Sequence, residues 1–110
     1  MSSILKTIRK RCIGDETADH FDTTLLSLIN LALATLDVNG VDWNKAVIDE
    51  TAQWSMTTTD AKLLAFVQEY VYTSVTLIFD PPDSKAARDS MESVANKYLW
   101  YINSVLGGEN

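Results

Sequence analysis

An uncharged apolar run that ends at two prolines constrains this chain more than any other feature. The run extends from Glu69 to Asp83 and carries no charge between Glu69 and Asp80. Proline has no amide hydrogen and moves the residue before it out of the α region, so Pro81 and Pro82 must end any helix that reaches them. Apolar residues at helical spacing begin before the run and continue through it: Leu64, Val67, Val71, Val75 and Ile78. Their spacing follows one helix face and predicts two long helices that meet at an Asp-Pro-Pro corner.

Composition predicts one compact domain. The chain has 110 residues, of which 46% are hydrophobic, with only 4 Gly and 2 Pro. We expect a single helical domain over residues 1–106 and a flexible tail over residues 107–110. The first residues lack a signal-peptide pattern, no apolar stretch reaches the roughly 18–20 residues of a membrane span, and the one cysteine suits a reducing compartment. These features favour a soluble intracellular protein.

Charge divides the chain into a short basic start and an acidic remainder. The net charge is −6, but Lys6, Arg9, Lys10 and Arg11 all lie in the first eleven positions. The remainder holds five basic and fifteen acidic residues, a balance that repels phosphates and argues against non-specific DNA binding. The basic cluster is either a solvated helix face or a contact for an acidic partner or a nucleic acid backbone.

Two helices are predicted before residue 41. The first ends near Gly14, because glycine readily adopts the left-handed conformation at a helix end. The second begins at Asp22, whose carboxylate can accept hydrogen bonds from first-turn amides. Its predicted buried face comprises Leu25, Ile29, Ala32, Leu33 and Leu36. Leu28 and Leu31 widen this apolar surface, so the helix must be central in the fold or partly covered by a neighbouring chain.

Two more helices follow residue 57. The third starts between Thr57 and Asp60, which are spaced as in a capping box, and runs to about Phe79. The second half of this helix is rich in β-branched residues, so a strand over residues 70–79 is the competing prediction. The helix is preferred, because nothing between Asp60 and Phe79 would break it. The fourth begins at Asp83 or Ser84. Its predicted seam comprises Ala87, Met91, Val94, Tyr98, Ile102 and Val105, with Trp100 and Tyr101 beside it.

Residues 41–57 show no helical stripe. Residues 46–48 are apolar enough for a short strand. Trp43 and Trp54 are either interface anchors, because aromatic residues are enriched at binding hot spots, or a small core beneath a long loop. The chain as a whole is therefore predicted to be all-α, with about four helices and one irregular loop between the second and third. A loop with a short β element and a loop without one are both left open.

The residues for catalysis, metal binding and cofactor binding are lacking. His20 is the only histidine and Cys12 the only thiol, so a metal set or a nucleophile–base pair lacks partners. The four glycines are scattered and form no phosphate-binding loop. Carboxylates cluster at Asp15, Glu16, Asp19, Asp22, Asp49 and Glu50. Helix capping and solvation of the acidic segment over residues 15–19 explain them. We expect a protein without enzymatic activity and without a cofactor.

Several motifs, taken in order, resemble the small head–tail connector (adaptor) proteins of long-tailed bacteriophages. They are Phe21-Asp-Thr-Thr-Leu-Leu, Ile29-Asn30, Gly40-Val41, Trp54-Ser55 and the segment Tyr70-Val-Tyr-Thr-Ser-Val-Thr-Leu-Ile-Phe-Asp-Pro-Pro82. The resemblance covers about residues 3 to 104. It implies a mostly helical virion protein at the head–tail junction, present in the host cytoplasm during assembly.

The same resemblance implies a set of partners. Such proteins form a ring that matches the twelvefold symmetry of the portal, contact a tail-side connector or terminator, and let double-stranded DNA pass. Residues from about Tyr98 onward would dock against the portal. The candidate interface residues are Lys6, Arg9, Lys10, Arg11, Leu28, Leu31, Trp43, Trp54, Trp100 and Tyr101. An alternative hypothesis is a small helical regulator that binds DNA or protein through its basic first helix.

Overall fold

Four α-helices and one short turn of 3₁₀ helix account for the fold. The computed structural model describes residues 3–43 and 45–107. The helices are α1 (Ile4–Ile13), α2 (Asp22–Val38), α3 (Ala61–Phe79) and α4 (Lys85–Gly107), and the 3₁₀ turn is Trp54–Met56. These described residues contain no β-strand, so the all-α prediction is confirmed.

Local capping signals set the ends of α1 and α3. Ser3 Oγ accepts a hydrogen bond from Lys6 N, and Gly14, at φ +92°, closes α1 in the left-handed conformation as predicted. Asp60 caps α3 by accepting a hydrogen bond from Leu63 N at 3.0 Å. The predicted capping box with Thr57 is wrong, since the buried Thr57 hydroxyl instead donates to a backbone carbonyl of the preceding 3₁₀ turn.

The start of α2 differs from its predicted chemistry. The helix begins at Asp22 as expected, but its N-cap residue is Phe21, and no side chain caps it. The carboxylate of Asp22 turns instead toward Arg9 of α1. A bidentate pair with a buried guanidinium competes with capping for the same oxygens, and here the ion pair takes them.

The Asp-Pro-Pro corner between α3 and α4 is confirmed. The last α3 residue is Phe79, and Asp80 N still donates to the helix at Thr76 O. Ser84 Oγ then accepts from Ala87 N and starts α4. Arg88 donates to the carbonyls of residues 82 and 83, at 3.1 and 2.9 Å, and so holds the corner from the next helix.

The core lies around α3, which packs against both α2 and α4. Its fully buried side chains come mainly from α1, α2 and α3: Ile4, Leu5, Ile8, Leu25, Ile29, Leu33, Leu36, Val67, Val71 and Val75. In contrast, α4 buries only Ala95 and Ile102. The predicted α4 seam is therefore correct at Ile102 but misplaced at Ala87, Val94 and Val105, which are exposed, because α4 has one main neighbour and buries a narrow stripe.

Side chains of α2 fix the irregular connection between α2 and α3. Asn30 Nδ2 donates to Val47 O at 3.0 Å, and Asn30 Oδ1 accepts from Val47 N at 2.8 Å. Asp37 Oδ1 accepts from Trp43 N at 3.0 Å. These bonds replace the backbone pairing that a helix or sheet would give the segment, so it is ordered without repetitive structure.

The far end of this connection is joined to the start of α1. Ile4 N donates to Ala52 O at 2.9 Å, and an isolated antiparallel β-bridge pairs Ser3 with Gln53. The short strand predicted at residues 46–48 is absent from the structure, because the backbone of its central residue, Val47, bonds to the Asn30 side chain rather than to a neighbouring strand. Of the tail predicted at residues 107–110, Gly107 belongs to α4, and residues 108–110 lie outside the described residues.

Candidate functional site

Most of the basic side chains of α1 form ion pairs within the chain. Arg9 is only 2% exposed. Its guanidinium donates from Nε to Asp22 Oδ1 and from Nη1 to Glu16 O, both at 2.9 Å, and it also binds the second Asp22 oxygen and Glu50. The hydrogen bond from Arg9 lowers the pKa of Asp22 below its usual range. Arg9 thus joins α1, the acidic segment over residues 15–19, α2 and the loop, and it is not an accessible contact for a partner.

The neighbours of Arg9 also have partners within the chain. Arg11 donates to both carboxylate oxygens of Glu69, at 2.6 and 3.2 Å, and lies 3.6 Å from the centre of the Tyr72 ring. Lys6 lies 3.9 Å from the nearest Glu50 oxygen. Of the four basic residues of α1, Lys10 alone makes no ion pair with a carboxylate among the described residues. The geometry therefore weakens the alternative of a DNA-binding first helix.

The two tryptophans of the irregular connection are internal. Trp43 and Trp54 are 3% and 1% exposed. Their Nε1–H groups are buried without a hydrogen-bond acceptor among the described residues. The interface role predicted for Trp43 and Trp54 stays a prediction, but burial within one protomer supports the other interpretation, a small core beneath the loop.

Three of the predicted interface residues on α2 and α4 are exposed apolar side chains. Leu31 on α2 and Trp100 on α4 are 57% and 63% exposed, and Tyr101 is 38% exposed. The Tyr101 ring lies 5.1 Å from that of Phe66 and 5.4 Å from that of Trp100. Leu28 is half-buried. Among the predicted interface residues, Leu31, Trp100 and Tyr101 therefore present the apolar surface that a partner could cover.

The sequence analysis did not predict the exposure of three further apolar residues, and it had placed one of them, Ile78, on the apolar face of the third helix. Val38, Ile48 and Ile78 are 86%, 76% and 60% exposed. Val38 lies seven residues after Leu31 on α2, two full helical turns away on the same face, and this spacing could have identified it. Nothing local distinguishes the other two from core residues.

The described residues bring together no set of groups with catalytic geometry. No group of three or more His, Cys, Asp or Glu within residues 3–43 and 45–107 could hold a metal ion. His20 is exposed and packs its ring 4.5 Å from that of Phe21. Asp15 and Asp49 each accept hydrogen bonds from the threonine two residues later, bonds that lower the pKa of both carboxylates. They form turns in exposed loops.

Two grooves flank the contact between α3 and α4. One is lined by charged residues of α4, among them Arg88 and Glu92, together with the apolar Leu77 and Ile78 of α3. The other is lined mainly by apolar side chains, among them Met91. The α4 side of the first groove therefore includes charged residues, and that of the second does not.

A comparison with known families identifies the chain. A family model described as phage connector protein matches residues 4–108, a range that includes all four helices. No curated protein and no solved structure matches the chain. None of the described helices combines the length and apolar character needed to cross a membrane. Because the match spans nearly the whole sequence, the chain belongs to the phage connector protein family, the structural proteins of the head–tail connection in the virion.

Proposed function

We propose that this protein forms a closed ring that joins the portal to the tail and continues the channel through which double-stranded DNA passes. The observation that carries the proposal is the family match over residues 4–108. The exposed apolar residues of α2 and α4 support it, because a ring subunit must leave apolar surface for its neighbours. The partners are copies of itself, in a number that matches the portal, together with the portal and a tail-side connector or terminator protein.

The acidic balance of the chain suits a DNA conduit. The net charge is −6, and most of the basic cluster of α1 is already paired with carboxylates. An acidic wall repels the phosphate backbone, so DNA slides past without adhering. The protein acts in this proposal as a structural part of the virion, assembled in the host cytoplasm, with no catalytic step.

Size-exclusion chromatography with multi-angle light scattering tests the proposal. The protein is measured alone over a range of concentrations and then with the portal protein of the same phage. We expect a ring, or a portal complex that contains one connector subunit for each portal subunit. Negative-stain electron microscopy of the complex should show a central opening. A protein that stays monomeric at all concentrations and does not bind the portal would contradict the proposal.

A further inference from the structure

An uncharged stripe runs along the outer face of α2. Its members are Thr24, Ser27, Leu31, Ala34 and Val38. They recur at alternating intervals of four and three residues, the spacing of a seam between paired helices. All five are exposed, and the sequence carries no charge between Asp22 and Asp37. A solvated helix face normally carries charged side chains, so this stripe has the character of a surface that another helix covers.

A second stripe with the same spacing runs along α4. Its members are Ala87, Met91, Val94, Tyr98, Tyr101 and Val105. Val94, Tyr101 and Val105 are 39%, 38% and 38% exposed. The charged residues of α4 all lie outside this stripe. Its first four members line a groove beside the contact with α3, and its last two are exposed beyond that groove.

The two stripes differ in side-chain size in a complementary way. The α2 stripe is built largely from small residues, such as Ser27 and Ala34, which let another helix approach closely. The α4 stripe carries large side chains, such as Tyr98 and Tyr101, which can fill the space above small ones. Pairing α4 with α4 would oppose large residues, and pairing α2 with α2 would leave gaps, so packing favours α4 against α2.

The charges at the rims agree with this pairing. Lys97 lies three residues after Val94 on α4, and Asp37 lies three residues after Ala34 on α2, so each neighbours its stripe. Both are exposed, and neither forms an ion pair within the described residues. A contact between α4 and α2 brings opposite charges to the rim, whereas a contact of either helix with itself brings like charges together.

We propose that the α4 stripe of one copy packs against the α2 stripe of a second copy. The inference rests on the ring proposed above and names the surfaces that build it. Because the contact uses two different surfaces, it is heterologous, and each copy keeps one stripe free for the next. Repetition of such a contact gives a ring when the rotation between neighbouring copies closes on itself, as the ring proposed above requires, and an open filament when it does not.

Disulfide crosslinking tests the contact directly in the full-length protein. In a Cys12→Ser background, Leu31→Cys is combined in turn with Met91→Cys, Val94→Cys and Tyr98→Cys, so that the register is scanned. Oxidation is carried out with and without the portal protein. We expect at least one double variant to give a ladder of covalent oligomers. A mixture of the two matching single variants should stop at dimers, and each single variant alone should give no crosslink through this contact.

A charge inserted into the stripe provides the second readout. Val94→Glu should raise the concentration needed for half-maximal assembly by at least about tenfold, because burial of an unpaired carboxylate is costly. Ser93→Glu is the matched control, since Ser93 is exposed on α4 outside the stripe, and it should assemble like the wild type. Circular dichroism checks that both variants are folded.

The outcomes separate this inference from the ring itself. If assembly occurs but no double variant gives a ladder, or if Val94→Glu assembles as well as Ser93→Glu, the contact is wrong and the ring stands. Crosslinks within a single variant would indicate a symmetric contact and would also overturn it. If no variant and no wild-type protein assembles, with or without portal, both proposals fail together.

Discussion

The irregular connection between α2 and α3 and the long helix α4 are held in opposite ways. The connection has little repetitive structure, yet it buries Trp43 and Trp54 and is bonded to α1 and α2 at several points. Helix α4 is regular over 23 residues, yet it buries only Ala95 and Ile102. Regular secondary structure is therefore a poor guide to how firmly a segment is held by its own protomer. In this protein the loop is an internal element, and most residues of the helix are exposed.

Removal of a loop tryptophan gives the largest expected effect on stability. Trp54→Ala should lower the free energy of unfolding by about 3–5 kcal/mol, because it removes a fully buried aromatic side chain and leaves a cavity. Urea denaturation followed by far-ultraviolet circular dichroism measures the change. Trp100→Ala is the matched control on α4. Equal losses for the two variants would contradict the comparison between the loop and the helix.

The buried guanidinium should give the next largest effect. Arg9→Met keeps most of the side-chain volume but leaves Asp22 without its guanidinium partner and Glu50 with Lys6 alone. Since the two carboxylate side chains are 26% and 46% exposed, water compensates in part, and we expect a loss of about 2–3 kcal/mol in unfolding free energy. Lys10→Met, on the exposed side of the same helix, should change it by less than about 0.5 kcal/mol. Indistinguishable denaturation midpoints for the two variants would show that the ion pairs do not hold the loop.

The contrast between loop and helix also shows what the sequence could predict. Gly14, Asp60 and the prolines at 81 and 82 act on their immediate neighbours, so the helix ends near them follow from local rules. The burial of Arg9 depends on Glu50, 41 residues away, and no local pattern connects the two. The periodicity of α4 correctly predicts a helix. Periodicity does not specify how many helices surround it, and that number decides which flank is buried.

Acid should weaken the ion pair between Asp22 and Arg9. Its pKa is lowered in the folded protein, chiefly by the hydrogen bond from Arg9. The resulting stability is fully present above the unfolded pKa of about 3.9 and is lost as the pH falls through the folded pKa. Asp22→Asn should therefore flatten the fall in unfolding free energy below about pH 4, with a smaller effect than Arg9→Met. Denaturation midpoints at pH 6, 4 and 3 measure the slope, with the exposed Asp42→Asn as control. An unchanged slope in Asp22→Asn would contradict the assignment.

The smallest effect on stability is expected for Trp100→Ala, and this variant is the most informative about function. Because the side chain is 63% exposed, Trp100→Ala should change the unfolding free energy by less than about 0.5 kcal/mol. If this end of α4 docks against the portal, the same variant should lose about 2 kcal/mol of portal affinity, or roughly thirtyfold, as exposed tryptophans at binding hot spots do. Trp100 lies outside the α4 stripe, so self-assembly should persist in a variant that no longer binds the portal. If Trp100→Ala is as destabilised as Trp54→Ala, then Trp100 is part of the packing within its own chain. If portal affinity is unchanged in Trp100→Ala, then the portal binds to another surface.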